Sequence, residues 1–144
     1  MSSQAAISAV LLPGFVLVAQ TFVVLGVMFR RRVAQMKRDR VRPQQVATSQ
    51  QAAALYADVA PADNFRNLFE MPVLFYFALA VAAITGQTGI PVLVLAWAYV
   101  AARVVHSVIH CTYNRVMHRF RVFVVSAFVL AALWAVLGYG LIAG

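Results

Sequence analysis

Four long apolar segments, separated by polar connections, organise the chain. They cover residues 5–29, 65–85, 90–109 (extending to about 118) and 122–143. A helix crosses the hydrocarbon core of a bilayer with about 20 apolar residues, so each segment is long enough to be a transmembrane helix. We therefore predict an all-α fold, an integral membrane four-helix bundle that forms a single domain over residues 1–144.

The connections between these segments differ in length and polarity. The first, residues 38–63, is polar, and its segment 50–57 fits a short helix at the membrane interface. The second, residues 85–89, is a tight uncharged turn. At the start of the second span, Asp63 or Asn64 is the expected N-cap, since short polar side chains accept hydrogen bonds from the first free amides of a helix.

The composition supports membrane insertion and excludes several other classes of protein. Of the 144 residues, 63% are hydrophobic and 11% are charged, whereas about a quarter of the residues of a soluble domain are charged. The mean hydropathy is +0.82, and a chain this short has too little interior to hide that apolar surplus from water. An ordinary soluble enzyme, a disordered chain and a disulfide scaffold are therefore excluded.

The formal net charge of +8 is distributed as in a membrane protein, not as in a nucleic-acid-binding protein. The basic residues concentrate in the first and third connections, and the second connection and both termini have none. By the positive-inside rule, the first and third connections face the cytoplasm and both termini face outward, as in a multi-pass protein of the cell (inner) membrane. The two basic clusters are Arg30, Arg31, Arg32, Lys37, Arg38, Arg40 and Arg42, and Arg115, Arg119 and Arg121.

Polar residues inside the second span lie on one helix face. Arg66, Asn67 and Glu70 follow one another at helical spacing. Pro72 has no amide hydrogen, so it leaves the carbonyl of Leu68 without its usual donor. This predicts a polar point in the backbone close to Glu70.

The third span carries a second polar stripe. Its members follow at steps of three, four and four residues, bordered by Ser107 and Tyr113; they are Arg103, His106, His110 and Asn114. Charges in lipid are costly and usually face partners inside the protein. We therefore expect Glu70 and Arg103 to form an ion pair. The remaining polar groups exceed what one ion pair requires, which indicates a cavity that holds a polar ligand.

The residues that carry these stripes resemble a known family. The segments 64–72, 103–110 and 114–121 are similar to the MAPEG family, the membrane-associated proteins in eicosanoid and glutathione metabolism. The resemblance implies a four-helix bundle that assembles as a homotrimer. It also implies that glutathione binds as cosubstrate between subunits, near the cytoplasmic face, and that a lipophilic small molecule and membrane lipid are further partners.

The same resemblance implies which residues form the site. One arginine at the end of the first span would contact glutathione, either Arg30 or one of its neighbours Arg31 and Arg32. The glutathione-binding set is then Arg30, Arg66, Asn67, Glu70, Arg103, His106, His110 and Tyr113. Arginine can clamp carboxylates through two parallel hydrogen bonds. A free thiol has a pKa of about 8.5, so a catalyst needs a cation to stabilise the thiolate. Arg119 is the first candidate for this catalytic role and Arg115 the second.

The chain departs from the family pattern at several positions. His110 and Asp63 stand where members often have tyrosine and arginine, and Phe120 and Phe123 stand where some have thiol-activating hydroxyls. Two functions are therefore compatible with the sequence. One is a glutathione-binding protein with transferase or peroxidase activity on lipophilic substrates. The alternative is a non-catalytic trimeric membrane module that binds a lipid or an anionic ligand.

Three other kinds of site fit the sequence poorly. His106 and His110 lie on one helix face, so they cannot ligate opposite faces of one haem. With Cys111 they also lack the closed four-ligand pattern of a structural zinc site, and no metal is expected. A proton-coupled transporter is disfavoured because the spans hold a single acid, Glu70, and the chain shows no inverted repeat.

Overall fold

The computed structural model describes residues 3–143, and every regular element in this range is a helix. One short 3-10 helix covers Pro43–Val46. The α-helices are α1 (Ser3–Asp39), α2 (Ser49–Leu55), α3 (Ala60–Asn67), α4 (Met71–Ile84), α5 (Ile90–Cys111) and α6 (Val116–Ala143). Four stretches are long and apolar enough to cross a membrane: α1, α3 with α4, α5 and α6. The predicted all-α membrane fold is confirmed, and the chain is an integral membrane protein.

The long first connection contains α2, where the sequence predicts a short helix. Thr48 begins it with a reciprocal cap, because its hydroxyl accepts from the Gln51 amide while the Gln51 side chain accepts from the Thr48 amide. This pairing satisfies two amides that the first turn of a helix leaves free. The helix ends at Leu55, since Tyr56 has an extended backbone, with φ −87° and ψ 125°.

The second span is interrupted. Helix α3 ends at Asn67 and α4 begins at Met71, with Glu70 as its N-cap and Pro72 in its first turn. A proline is tolerated in a first turn, since the amide it lacks has no helical partner there. The predicted N-cap at Asp63 or Asn64 is wrong, because α3 already begins at Ala60.

The four long helices pack around a core that α5 organises. Phe75 of α4 stacks on Tyr99 of α5, with ring centroids 4.5 Å apart, and α1 and α6 complete the core with Leu17 and Leu133. Many large apolar side chains face outward instead, for example Phe128, which is 73% exposed. Such a surface is suited to lipid, not to water.

The connection between α5 and α6 lies earlier in the chain than the sequence predicts. Helix α5 ends at Cys111 instead of continuing to about 118, and α6 begins at Val116 instead of 122. Asn114 has a φ of +45°, a left-handed conformation that asparagine tolerates better than most residues. The reversal is therefore complete within residues 112–115, and Arg119 lies in the opening turn of α6, next to the end of α5.

Candidate functional site

Arg103 lies in the interior of the bundle with none of its surface exposed. Its Nη2 donates to the backbone carbonyl of Asn67 at 3.0 Å. That carbonyl is available because α3 ends at Asn67, so the interrupted second span supplies the acceptor. The Nε and Nη1 atoms of Arg103 are buried and have no hydrogen-bond partner within residues 3–143.

The expected ion pair between Glu70 and Arg103 is wrong. Among the residues described, the salt bridges join other side chains, and Glu70 is exposed. The second span is interrupted just before Glu70, and Arg66, which shares its predicted face, is exposed as well. As the N-cap of α4, Glu70 has a non-helical backbone, with φ −95° and ψ −102°.

His106 and His110 lie one helical turn apart, and both are buried. Nδ1 of His106 is 3.0 Å from the backbone carbonyl oxygen of Arg119, and Nε2 of His110 is 2.7 Å from Nη1 of the same arginine. A carbonyl only accepts and a guanidinium only donates, so we assign a proton to Nδ1 in both neutral rings. The other nitrogens, Nε2 of His106 and Nδ1 of His110, are buried without a partner in the described chain.

Arg119 connects the start of α6 to the end of α5. Its Nη1 also donates to Oδ1 of Asn114, at 2.8 Å. The ring of Phe123 borders the same space, with its centroid 5.9 Å from Cζ of Arg103 and 6.0 Å from the ring of His106. We call the set Arg103, His106, His110, Asn114 and Arg119 the arginine–histidine cluster.

The cluster is rich in positive charge, and no carboxylate of residues 3–143 lies within ion-pair distance of it. It contains two guanidinium groups, while the described salt bridges of the chain all lie outside it. Taking a charged group out of water costs several kcal/mol unless a partner compensates it. Chemically, the cluster is therefore suited to an anion that can accept several hydrogen bonds.

The other residues predicted for the site lie outside this cluster in the single chain. Arg66 is exposed and lies 3.7 Å from the carboxylate of Asp63. Tyr113 is also exposed, and its hydroxyl is 3.4 Å from Nδ1 of His118 instead of near His110. Glu70, Arg115 and Arg30 are exposed as well. Asn67 contacts the cluster through its backbone carbonyl.

Sequence analysis missed a polar network beside the cluster. Gln20 of α1 donates through Nε2 to the backbone carbonyl of Arg103 and to the hydroxyl of Ser107. Ser107 in turn donates to Oδ1 of Asn64, at 3.2 Å, and Nδ2 of Asn64 donates to Sγ of Cys111, at 3.3 Å. The sequence signal for this network was Gln20, which lies in the middle of an apolar span, because a side-chain amide in lipid needs hydrogen-bond partners.

Comparison with known proteins agrees with this architecture. The model of the MAPEG family matches residues 10–139, which include α2 to α5, most of α1 and α6, and the whole arginine–histidine cluster. No curated protein and no solved structure shows a significant match. With nearly its whole length matched by that family model, the chain belongs to the MAPEG family.

Proposed function

We propose that the arginine–histidine cluster binds glutathione through the acidic groups of the tripeptide. The observation that carries the proposal is the buried guanidinium of Arg103, which has two unpartnered nitrogens and no carboxylate within ion-pair distance in residues 3–143. A carboxylate of glutathione would accept from these nitrogens, and charge-assisted bonds of this kind are stronger than neutral ones. Membership of the MAPEG family, a glutathione-related family, supports this ligand over other small anions.

Arg119 is the proposed stabiliser of the glutathione thiolate. Both of its side-chain bonds, to His110 and Asn114, use Nη1. These two bonds fix the orientation of the Arg119 guanidinium. Its positive charge would lower the pKa of the glutathione thiol from about 8.5. The thiolate sulfur would then displace a leaving group, such as chloride, from a lipophilic electrophile that reaches the site from the bilayer. With a lipid hydroperoxide, it would attack the terminal oxygen and release the alcohol, and a second glutathione would convert the resulting sulfenic acid to glutathione disulfide and water. Arg115 is the second candidate for this role.

The non-catalytic alternative is supported by the aromatic lining of the cluster. The ring of Phe123 lies about 6 Å from Arg103 and His106, and it provides no hydroxyl that would donate to a thiol. A protein of this kind would bind the anion without turnover. Measurement of binding and turnover on the same preparation separates the two functions.

We further propose that the protein assembles as a homotrimer in the cell membrane, with the basic connections in the cytoplasm. Arg66 and Glu70 are exposed in one chain, so they would contact glutathione only if the site lies between subunits. The same reasoning applies to Tyr113 and Arg30. Native mass spectrometry of the detergent-solubilised protein gives the oligomeric state directly, and a monomer would contradict this arrangement.

The binding experiment compares two arginines of α6 that are two residues apart. Arg119 is half-buried and bonded to the cluster, whereas Arg121 is exposed. We expect Arg119→Gln to weaken the affinity for reduced glutathione at least tenfold, since a hydrogen bond to a charged group contributes about 1.5–3 kcal/mol. Arg121→Gln should bind like the unmodified protein. Isothermal titration calorimetry measures both affinities.

Turnover is measured with reduced glutathione and a chlorinated dinitrobenzene. An enzyme would form the conjugate above the uncatalysed rate and lose this activity in Arg119→Gln but not in Arg121→Gln. Binding without turnover of the electrophile or of a lipid hydroperoxide would favour the non-catalytic module. Absence of binding heat, or equal affinities of the two variants, would contradict the proposed site.

A further inference from the structure

A row of buried polar atoms lies on the inner face of α5. Tyr99, Arg103 and His106 follow at steps of four and three residues, and none of them is more than 3% exposed. Four of their atoms have no hydrogen-bond partner within residues 3–143, namely the hydroxyl of Tyr99, Nε and Nη1 of Arg103 and Nε2 of His106. Buried polar atoms in proteins almost always have a partner, so a bound group is expected at this row.

Tyr99 is the deepest member of the row and is not part of the arginine–histidine cluster. It lies one helical turn from Arg103, on the side away from the α5–α6 connection. Its ring stacks on Phe75, with centroids 4.5 Å apart, which fixes its position. The hydroxyl lies within electrostatic range of the Arg103 guanidinium but does not bond to it directly. The space between the two groups therefore has polar atoms on both sides.

The donors and acceptors of the row indicate what kind of group binds there. The guanidinium of Arg103 only donates, whereas Nε2 of His106 accepts, because Nδ1 of that ring carries the proton. An anion accepts from Arg103 but has no proton for His106. A water molecule accepts from Arg103 and donates to His106 or Tyr99, and a buried water typically makes about three such bonds. Water therefore matches both kinds of atom.

We propose that water molecules are bound inside the bundle between Tyr99, Arg103 and His106, and that Tyr99 positions the Arg103 guanidinium through them. In the described chain, the direct hydrogen bond of this guanidinium is the one from Nη2 to the Asn67 carbonyl. A single bond leaves the guanidinium plane free to rotate, and a second contact through water fixes it. Tyr99 is thus a positioning residue and does not contact the ligand.

The bound water and the positioning role stand differently toward glutathione. The bound water is a property of the unliganded protein and does not depend on glutathione binding. A carboxylate bound at Arg103 would displace the water at the guanidinium and leave the molecule at Tyr99 in place. The expected effect of Tyr99 on ligand affinity rests on the proposed function.

The stability of Tyr99→Phe tests the bound water, because a bonded and an unpartnered hydroxyl predict opposite results. The variant keeps the stacking on Phe75 and removes only the oxygen. If the hydroxyl is bonded to water, we expect Tm in detergent to fall by about 2–4 °C, since one hydrogen bond is lost. If it is unpartnered, its removal relieves a desolvation cost, and an unchanged or raised Tm would overturn the proposal. Tyr139→Phe, at an exposed tyrosine of α6, is the control and should keep its Tm.

The affinity for reduced glutathione, measured by calorimetry, tests the positioning role. We expect Tyr99→Phe to bind about three- to tenfold more weakly, the factor that corresponds to one hydrogen bond of ordinary strength. Leu133→Val makes a small cavity in the core and should also lower Tm, but its affinity should be unchanged. Equal affinities of Tyr99→Phe and the unmodified protein would overturn the positioning role alone. Absence of binding by the unmodified protein would contradict the proposed function, and the Tm of Tyr99→Phe would still decide on the bound water.

A crystal structure of the unliganded protein, at a resolution that shows ordered water, tests the proposal directly. We expect at least one water molecule within hydrogen-bond distance of the Tyr99 hydroxyl and of Arg103 or His106. A dry interior at Tyr99 would overturn the proposal.

Discussion

Replacement of Arg103 by methionine separates a ligand-binding arginine from a structural one. Methionine has a similar length and no charge, so it fills the same interior space without a desolvation cost. If Arg103 serves to bind an anionic ligand, its charge adds little to the stability of the unliganded protein. If Arg103 has a structural role, its removal should destabilise the bundle strongly.

The contacts of Arg103 give the expected change in the free energy of unfolding for Arg103→Met. Arg103→Met removes one hydrogen bond and leaves the Asn67 carbonyl unpaired, which costs about 1–3 kcal/mol. It also removes the contact with the Phe123 ring, worth about 0.5–2 kcal/mol. Against these losses, it recovers a desolvation penalty of several kcal/mol for a buried ion that has no ion-pair partner in residues 3–143. We therefore expect the unliganded stability to be unchanged or raised by about 2 kcal/mol.

Thermal unfolding in detergent, with and without reduced glutathione, measures both effects. At a ligand concentration of about 100 times Kd, the unmodified protein should gain about 2.7 kcal/mol, and Arg103→Met should gain nothing. For a chain of this size, 1 kcal/mol corresponds to about 2–4 °C in Tm. Arg121→Met is the control, since Arg121 is exposed, and it should respond to glutathione normally.

Two results would refute this reasoning. Loss of about 3–5 kcal/mol in the unliganded variant is the effect of breaking a buried ion pair, and it would mean that Arg103 is already compensated. A glutathione response equal to that of the unmodified protein would mean that Arg103 does not contact the ligand.

Two further substitutions test the packing and the turns by their effect on Tm. Ser107→Ala should destabilise the protein by about 1–3 kcal/mol, because Oδ1 of Asn64 loses its donor. Ser8→Ala, at an exposed serine of α1, is the control. An equal loss of stability in both variants would contradict the role of the network. Gly86 in the α4–α5 turn has a φ of +70° with open space around it, so Gly86→Ala should cost about 1–2 kcal/mol through backbone strain alone. Gly86→Asn should cost less, since asparagine tolerates this conformation better, and the reverse order would contradict the explanation.

The sequence predicted those features of the fold that depend on local composition. Four apolar segments of membrane length determine four spanning helices, because in lipid every backbone polar group must be bonded within the helix. Pro72 predicted a polar backbone point close to Glu70, and the second span does break there, but Pro72 lies in the first turn of α4 and the carbonyl that accepts from Arg103 is that of Asn67. Family membership was also predicted, from residues 64–72, 103–110 and 114–121.

The candidate site was predicted only in part. Helical spacing correctly placed Arg103, His106 and His110 on one buried face of α5. Spacing within one helix does not determine which groups of other helices approach that face. The acceptor for Arg103 is a backbone carbonyl rather than a carboxylate, and no side-chain pattern indicates such a partner.

The sequence by itself determined that this protein lies in the membrane, how many times it crosses and which stripes of α5 are polar, because hydrophobic length and helical periodicity are properties of the chain. Only the tertiary structure decided that the α5–α6 connection reverses within residues 112–115 and brings Arg119 to His106 and His110. It also decided that the second span breaks before Glu70, that this carboxylate is exposed, and that no carboxylate of residues 3–143 lies within ion-pair distance of Arg103. Both outcomes depend on where helices end and how they pack, and these are set by contacts between segments that are distant in sequence.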